Sequence, residues 1–170
     1  ALYERHQLIT YPRSDCRYLP EEHFAAARAT LEGACRADDT LSRWLAGADF
    51  SRRSRAWNDK QVGAHHALAP TGRPMEPARL SATEANVYRL IARNVLAQFY
   101  PALSTREVKA EFTILDERFR ARGQEILEAG WKPLFTTRDE APPLPPLTEG
   151  EACRVDETGV EDRETRPPEP

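Results

Sequence analysis

The spacing of apolar residues changes once along this chain, near residue 103, and that change limits the fold more than any other feature. Before it, Val87 or Tyr88, Ile91, Val95 and Phe99 recur every three or four places, as on a helix with one apolar stripe. Ser81 and Glu84 form a capping-box pattern, and Pro101 ends the run because it has no amide hydrogen to donate. A helix is therefore predicted over 82–100. Beyond the change, Val108, Ala110, Phe112 and Ile114 alternate with Lys109, Glu111 and Thr113, and the alternation resumes at Phe119 and Ala121 after a turn at Asp116-Glu117. That is a β-hairpin with one buried face, so the fold class is α+β.

Shorter elements fill the rest. Residues 2–7 read as the end of a helix. Pro20 with Glu21 and Glu22 opens another, with stripe Phe24, Ala27 and Leu31 and a stop at Gly33. A short helix fits 40–45. Ile126-Leu127 and residues 131–135 read as strand pieces about a Glu128-Ala129-Gly130 turn. Residues 138–147, with Asp139, Glu140 and four prolines, read as an extended connector. Two short strands fit 152–155 and 160–163.

Composition excludes several classes. A chain of 170 residues, 40% hydrophobic and 30% charged, can bury a core. No apolar run approaches the roughly 20 residues of a membrane span, and no signal-peptide pattern opens the chain. A cytoplasmic setting follows. Cys16, Cys35 and Cys153 are too scattered for a disulfide framework or a zinc ribbon and read as reduced thiols. The net charge of −3 hides a division, because residues 1–103 hold 14 Lys/Arg against 11 Asp/Glu and residues 104–170 hold 10 against 16. A basic half ahead of an acidic one suits a protein that shows one face to DNA. Starting at Ala1 without an initiator methionine and ending at Pro170, the chain reads as a piece of a larger protein.

Chemistry concentrates in Leu8-Ile9-Thr10-Tyr11-Pro12-Arg13-Ser14-Asp15-Cys16-Arg17-Tyr18-Leu19-Pro20. Residues 8–11 have strand composition, and a strand would put Tyr11, Arg13 and Asp15 on one face. A phenol with a pKa of about 10 is a poor nucleophile unless a cation favours the phenolate. Arg13 can do this, and its planar fork can also hold a phosphate. The group suggests a tyrosine that attacks a phosphodiester; a packed strand tyrosine beside a surface Arg13–Asp15 pair is the plain alternative. Arg52, Arg53 and Arg55, between Trp44 and Trp57, form either a strip that holds a nucleic-acid backbone or a solvated loop between two core tryptophans. Arg89 and Arg93 could reach phosphate from the 82–100 helix.

Leu2-Tyr3-Glu4 with the block just quoted resembles the nucleophile region of type IA DNA topoisomerases, in the bacterial topoisomerase III branch. Trp57-Asn58-Asp59-Lys60-Gln61-Val62-Gly63-Ala64-His65-His66-Ala67-Leu68-Ala69-Pro70-Thr71 resembles that branch's Ala-His-His-Ala segment. Asn86-Val87-Tyr88-Arg89-Leu90-Ile91-Ala92-Arg93 with Gln98-Phe99-Tyr100-Pro101, and then Ala129-Gly130-Trp131, continue the likeness in family order.

The resemblance implies that Tyr11 forms a transient 5′-phosphotyrosine link to single-stranded DNA, with strand passage and religation that need no ATP. Arg13 and His65 would contact the scissile phosphate, with Asp15 orienting Arg13. Lys60, His66, Arg17, Arg52 and Arg53 are the candidate DNA contacts. It further implies a nucleoid-associated enzyme that relaxes or decatenates DNA, with a magnesium site in a domain outside this chain, no metal held here, and the remaining domains of the same polypeptide as partners. In these terms 1–103 is a mainly helical gate domain of helix-turn-helix character that bears the tyrosine. Residues 104–170 are part of an antiparallel β domain, one segment of a toroid arch, with the connector at 138–147. The isolated piece is expected to be inactive. Two other readings are a non-catalytic single-stranded DNA-binding or interaction module and a rolling-circle relaxase. The latter is disfavoured because its paired histidines are separated by one residue, whereas His65 and His66 are adjacent.

Overall fold

Ser81 and Glu84 close the expected capping box: the Ser81 hydroxyl accepts from the Glu84 amide at 3.2 Å, and the Glu84 carboxylate accepts from the Ser81 amide at 2.8 Å. From there α3 runs over Ala82–Leu96 and tightens into a 3-10 turn, Ala97–Phe99, ahead of Pro101. Its stripe of Tyr88, Ile91, Ala92, Val95 and Leu96 is buried. The computed structural model, which describes residues 1–135, 143–162, 164 and 165, packs α3 against α1 (Glu21–Cys35) and α2 (Asp39–Ala46). Phe99 is the hub of the core, with Phe24, Phe50 and Trp57 around it at ring-centroid distances of 5.9, 4.6 and 5.6 Å.

Buried polar groups tie the helices together. Asp38 caps α2 by accepting from the Thr40 and Leu41 amides, both at 3.0 Å, and also meets Arg89 of α3 at 2.6 Å. Burial works against its charge, but the Leu41 and Thr40 amides and the guanidinium outweigh it and hold the carboxyl below its ordinary range. Burial raises the Cys35 thiol to about 12, with Asp38 adding to the effect, which fits an inert thiol. Tyr100 donates to the Trp44 carbonyl at 2.6 Å and fixes the end of α2 against the end of α3.

The strands form one antiparallel pair, β1 (Ser104–Ile114) with β2 (Glu117–Glu128), so the chain is α+β as expected. The alternation of Val108, Ala110, Phe112 and Ile114 is present, but that face is only half covered. Part of the cover is Leu144, whose backbone nitrogen would lie 2.6 Å from a Cβ on Gly123. No described helix is long and apolar enough to cross a membrane.

Several expectations change. Residues 2–7 are a turn rather than a helix end: the Arg5 and His6 amides both donate to the Ala1 carbonyl, and Gln7 leaves the helical region at φ 52°. The hairpin turn is Leu115-Asp116, both at positive φ, which brings Glu117 into β2 opposite Ile114. Residues 131–135 hold a 3-10 turn, Lys132–Leu134, because Pro133 cannot donate to a ladder, and Leu134 joins the core of α1–α3. Residues 152–155 and 160–162 carry no strand; residues 138–142 and Arg163 lie outside the described residues. Gly33 does not stop α1. It lets the chain pass close, because a Cβ there would lie 2.2 Å from the Gly72 carbonyl oxygen.

Two outcomes follow from this packing. Gly33→Ala should cost about 1–3 kcal/mol in a denaturant melt, the usual penalty of overpacking against backbone; an unchanged midpoint would contradict the close approach. Glu84 is held down to about 2, first by the Ser81 amide and then by its hydroxyl, with Arg5 and His6 adding charge. Its folded pKa lies below the unfolded one, so its contribution is full above about pH 4.5 and fades as pH falls through about 2. Glu84→Gln should therefore lower the melting temperature at pH 7, and the difference from the parent should shrink toward zero near pH 2.

Candidate active site

The segment bearing Tyr11 is held at both ends by the segment bearing the histidines. At the first end, the Thr10 amide donates to the Ala69 carbonyl at 2.9 Å, and the Ala69 amide donates to the Thr10 hydroxyl at 3.0 Å. The Thr71 amide donates to the Leu8 carbonyl, and its hydroxyl donates to the Gln7 carbonyl at 2.7 Å. At the second end, the Leu19 amide donates to the Ala56 carbonyl at 2.7 Å, the Asn58 amide to the Leu19 carbonyl, and the Ala67 amide to the Tyr18 carbonyl at 2.8 Å. Leu8, Ile9 and Leu19 are buried and anchor these contacts.

Between the pins, residues 11–17 are a loop, and strand pairing in 8–11 is limited to the Ile9–Pro70 bridge. Tyr11 and Arg13 therefore do not share a strand face. Pro12 has no amide to continue a ladder, and the Ala67 amide of the partner segment is given to the Tyr18 carbonyl instead.

This pinning brings together two residues far apart in sequence. The Tyr11 and His65 rings lie 4.6 Å apart, centroid to centroid, tilted by 39°. Tyr3 also packs edge-on with Tyr11, at 5.6 Å. Tyr11 is 38% exposed while its ring packs against His65 and Tyr3. Neighbouring His66 turns the other way, its ring 5.0 Å from His23 and its Nδ1 2.8 Å from the Ala67 carbonyl.

The cations divide into two groups. Arg13, Arg17 and Lys60 are exposed and have no ion-pair partner among the described residues. Arg13 is not paired with Asp15, contrary to the expected orienting contact. Lys60 sits in a 3-10 turn, Asp59–Gln61, fixed by Asn58, which accepts from the Lys60 amide at 3.1 Å. The Asp59 carboxylate accepts from the Glu21 amide at 2.8 Å and supplies the cap that Pro20 cannot give α1. Arg52 and Arg53, by contrast, are engaged with Asp49 at 3.4 Å and Glu21 at 2.6 Å. Arg89 is held by Asp38, and Arg93 lies 4.5 Å from the Phe135 ring centre and 5.9 Å from that of Trp44.

Sequence reasoning missed Tyr3 and Thr10. Tyr3 lies in the quoted Leu2-Tyr3-Glu4 block but carries no chemistry that marks it, and Thr10 was read only as strand composition. Among the described residues, no three His, Cys, Asp or Glu side chains come together as a metal site.

Comparison with known proteins gives one consistent result. A family model described as DNA topoisomerase matches residues 1–170. The chain is similar to DNA topoisomerase 3 of Vibrio cholerae, 44% identical over 99% of this chain and 27% of that protein. It is 42% identical to DNA topoisomerase 3 of Salmonella typhimurium over 98% of this chain and 26% of that protein. With DNA topoisomerase 3 of Bacillus subtilis the identity is 31%, over 98% and 24%. The chain thus spans about a quarter of the length of the curated relatives it matches.

The geometry can be checked by NMR. Tyr11→Leu removes the ring beside His65, so the His65 ring protons should move by the lost ring current while those of His66 stay in place. Thr10→Val takes the acceptor from the Ala69 amide and should cost about 1–2 kcal/mol of stability, with a smaller shift of the same His65 signals. Unmoved His65 signals in both variants would rule out the packed pair.

Proposed function

The chain belongs to the topoisomerase III branch of the type IA DNA topoisomerases, and on that premise we propose that Tyr11 is the nucleophile that cleaves one DNA strand in the whole protein. The observation that carries this reading is the Tyr11–His65 pair, with the tyrosine partly exposed and the two segments that carry these side chains pinned to each other. The Tyr11 oxygen bonds to phosphorus as the bond to the 3′ oxygen breaks. The phenol loses a proton and the released 3′-hydroxyl gains one. The product is a 5′-phosphotyrosine link, and because one ester replaces another, religation needs no ATP.

Arg13 and His65 would stabilise the charge that builds on the non-bridging phosphate oxygens, His65 when it carries a proton or as a hydrogen-bond donor. Arg13 suits this role because its guanidinium is free of carboxylates. Arg17, Lys60 and His66 are the proposed further DNA contacts, His66 on the side facing His23, and the preferred substrate is single-stranded. Asp15 does not enter the step.

The family implies a magnesium ion. We place its ligands in a part of the whole protein beyond this chain, as the family resemblance implies, and no step above runs through it. In the same reading, 1–103 is the tyrosine-bearing gate unit, of helix-turn-helix character, and 104–170 is one segment of the β unit. The whole protein is cytoplasmic and nucleoid-associated, and it relaxes or decatenates DNA with its remaining domains.

The test is cleavage of a labelled single-stranded oligonucleotide by the whole protein, with the covalent adduct trapped by denaturation. Tyr11→Phe should leave no adduct and no relaxation. His65→Ala and Arg13→Ala should each slow cleavage by about 10²–10³-fold, the scale of losing one transition-state donor. The 170-residue chain alone should not cleave. A fully active Tyr11→Phe protein would refute the assignment.

A further inference from the structure

Three arginines that the catalytic reading leaves unused line a groove away from Tyr11. The groove, of about 640 Å³, lies between residues 52–56, the end of α3 and the corner at Trp131, and none of its lining residues is acidic. None of Tyr11, Arg13 and His65 lines it. Its floor is fixed: Ser54 donates to Gln98 at 2.8 Å, and Gln98 in turn donates to the Asn94 carbonyl at 3.0 Å.

The charge on this face is only partly neutralised. Arg55 has no ion-pair partner among the described residues, while Arg52 and Arg53 hold Asp49 and Glu21, which do not line the groove. The aromatic partner expected from sequence was Trp44 or Trp57, but Trp57 is in the core and Trp44 is half-buried against it. The exposed tryptophan here is Trp131, 38% exposed, with the Phe135 ring edge-on at 5.5 Å. Gly130, at φ +51°, sets its position: a Cβ there would lie 2.5 Å from the Pro101 and Ala102 carbonyl oxygens, so only glycine lets this corner seat on the end of the α3 segment.

We infer that this groove is a second single-stranded DNA subsite, in which the arginines at 52–55 hold the phosphate backbone and Trp131 stacks one unpaired base. It rests on the reading that the whole protein handles single strands, but not on Tyr11 being the nucleophile. A cationic edge beside a partly exposed indole suits a single strand, because a base can reach a side-chain ring only when it is unstacked from its neighbours. A duplex offers phosphates but no free base.

The experiment is fluorescence anisotropy of a labelled thymidine 12-mer with the 170-residue chain over a salt series. Trp131→Ala should weaken binding about 10-fold or more, the scale of one lost base-stacking contact, and Trp131→Phe should recover part of it. Arg55→Ala should weaken binding and reduce the slope of log K against log salt by about 0.7, one phosphate contact on a single strand. A duplex 12-mer should be insensitive to Trp131→Ala, and a 5-bromouracil oligonucleotide should crosslink at Trp131 in both the parent and Tyr11→Phe chains. No measurable binding by the parent chain, or unchanged binding in the Trp131→Ala and Arg55→Ala chains, overturns the subsite. So does unchanged DNA binding with a lower melting temperature in the whole protein carrying Trp131→Ala, which marks the groove as a contact between its own domains. Loss of the crosslink with normal Tyr11 adduct formation refutes the groove alone, whereas a normal crosslink with an active Tyr11→Phe protein refutes the nucleophile alone.

Discussion

The candidate site depends on hydrogen bonds from Thr10 and Leu19 to the segment that runs from Ala56 to Thr71. Each end of the tyrosine loop meets that segment through backbone groups, and Thr10 adds its hydroxyl. Without these pins, residues 11–17 would be an irregular loop free to sample many conformations, and His65 would sit on a separate loop. With them, two flexible stretches become one body, and the ordering cost of the Tyr11–His65 contact is met by the buried side chains of Leu8, Ile9 and Leu19 rather than by the site itself.

The same economy governs the charges. Asp38, Glu84 and Asp59 each accept from backbone amides at helix starts, so these carboxylates serve as caps. Two of them also take an arginine, Arg89 on Asp38 and Arg5 on Glu84. Asp38 thereby links α2 to α3, and Glu84 links the N-terminal turn that carries Tyr3 to α3. Arg13, Arg17 and Lys60 are left without carboxylates. An unpaired cation meets phosphate more readily than a paired one, since an anionic ligand must compete with any carboxylate already in place. The net charge of the chain conveys none of this, because what matters is which cations remain unpaired and where.

How much of this could be read from the sequence depended on whether the cause was local. The α3 helix follows from Ser81, Glu84, the apolar stripe and Pro101, all within one stretch, and the hairpin follows from alternation. Positions set by distant parts of the chain were misread. Gly33 looked like a helix stop because nothing local shows that Gly72 passes over it. Residues 131–135 looked like a strand because the burial of Leu134 against α1–α3 is a long-range contact. Tyr11 follows from its local chemistry and from the family block, and His65 from the family block alone, but their ring contact follows from neither. Arg13 and Asp15 were grouped by strand periodicity, which does not apply once Pro12 turns the segment into a loop.

A tyrosine that carries a DNA end has a mechanical requirement beyond its chemistry. In the intermediate proposed above, any force that separates the DNA ends would pass through the Tyr11 backbone into whatever holds the loop. A loop attached at one end would swing about that attachment and let the phosphate drift from His65 and Arg13. Attached at both ends, and through buried residues on each side, it can move only with the body of α1 and the 56–71 segment. The bridge at Leu19 runs directly into α1 through Pro20, whose first free amide, Glu21, is capped by Asp59 of the other segment. Load on the proposed ester would thus be shared between the two chain segments, so the geometry that brings His65 to Tyr11 is also the one that would hold it there while the strand is open.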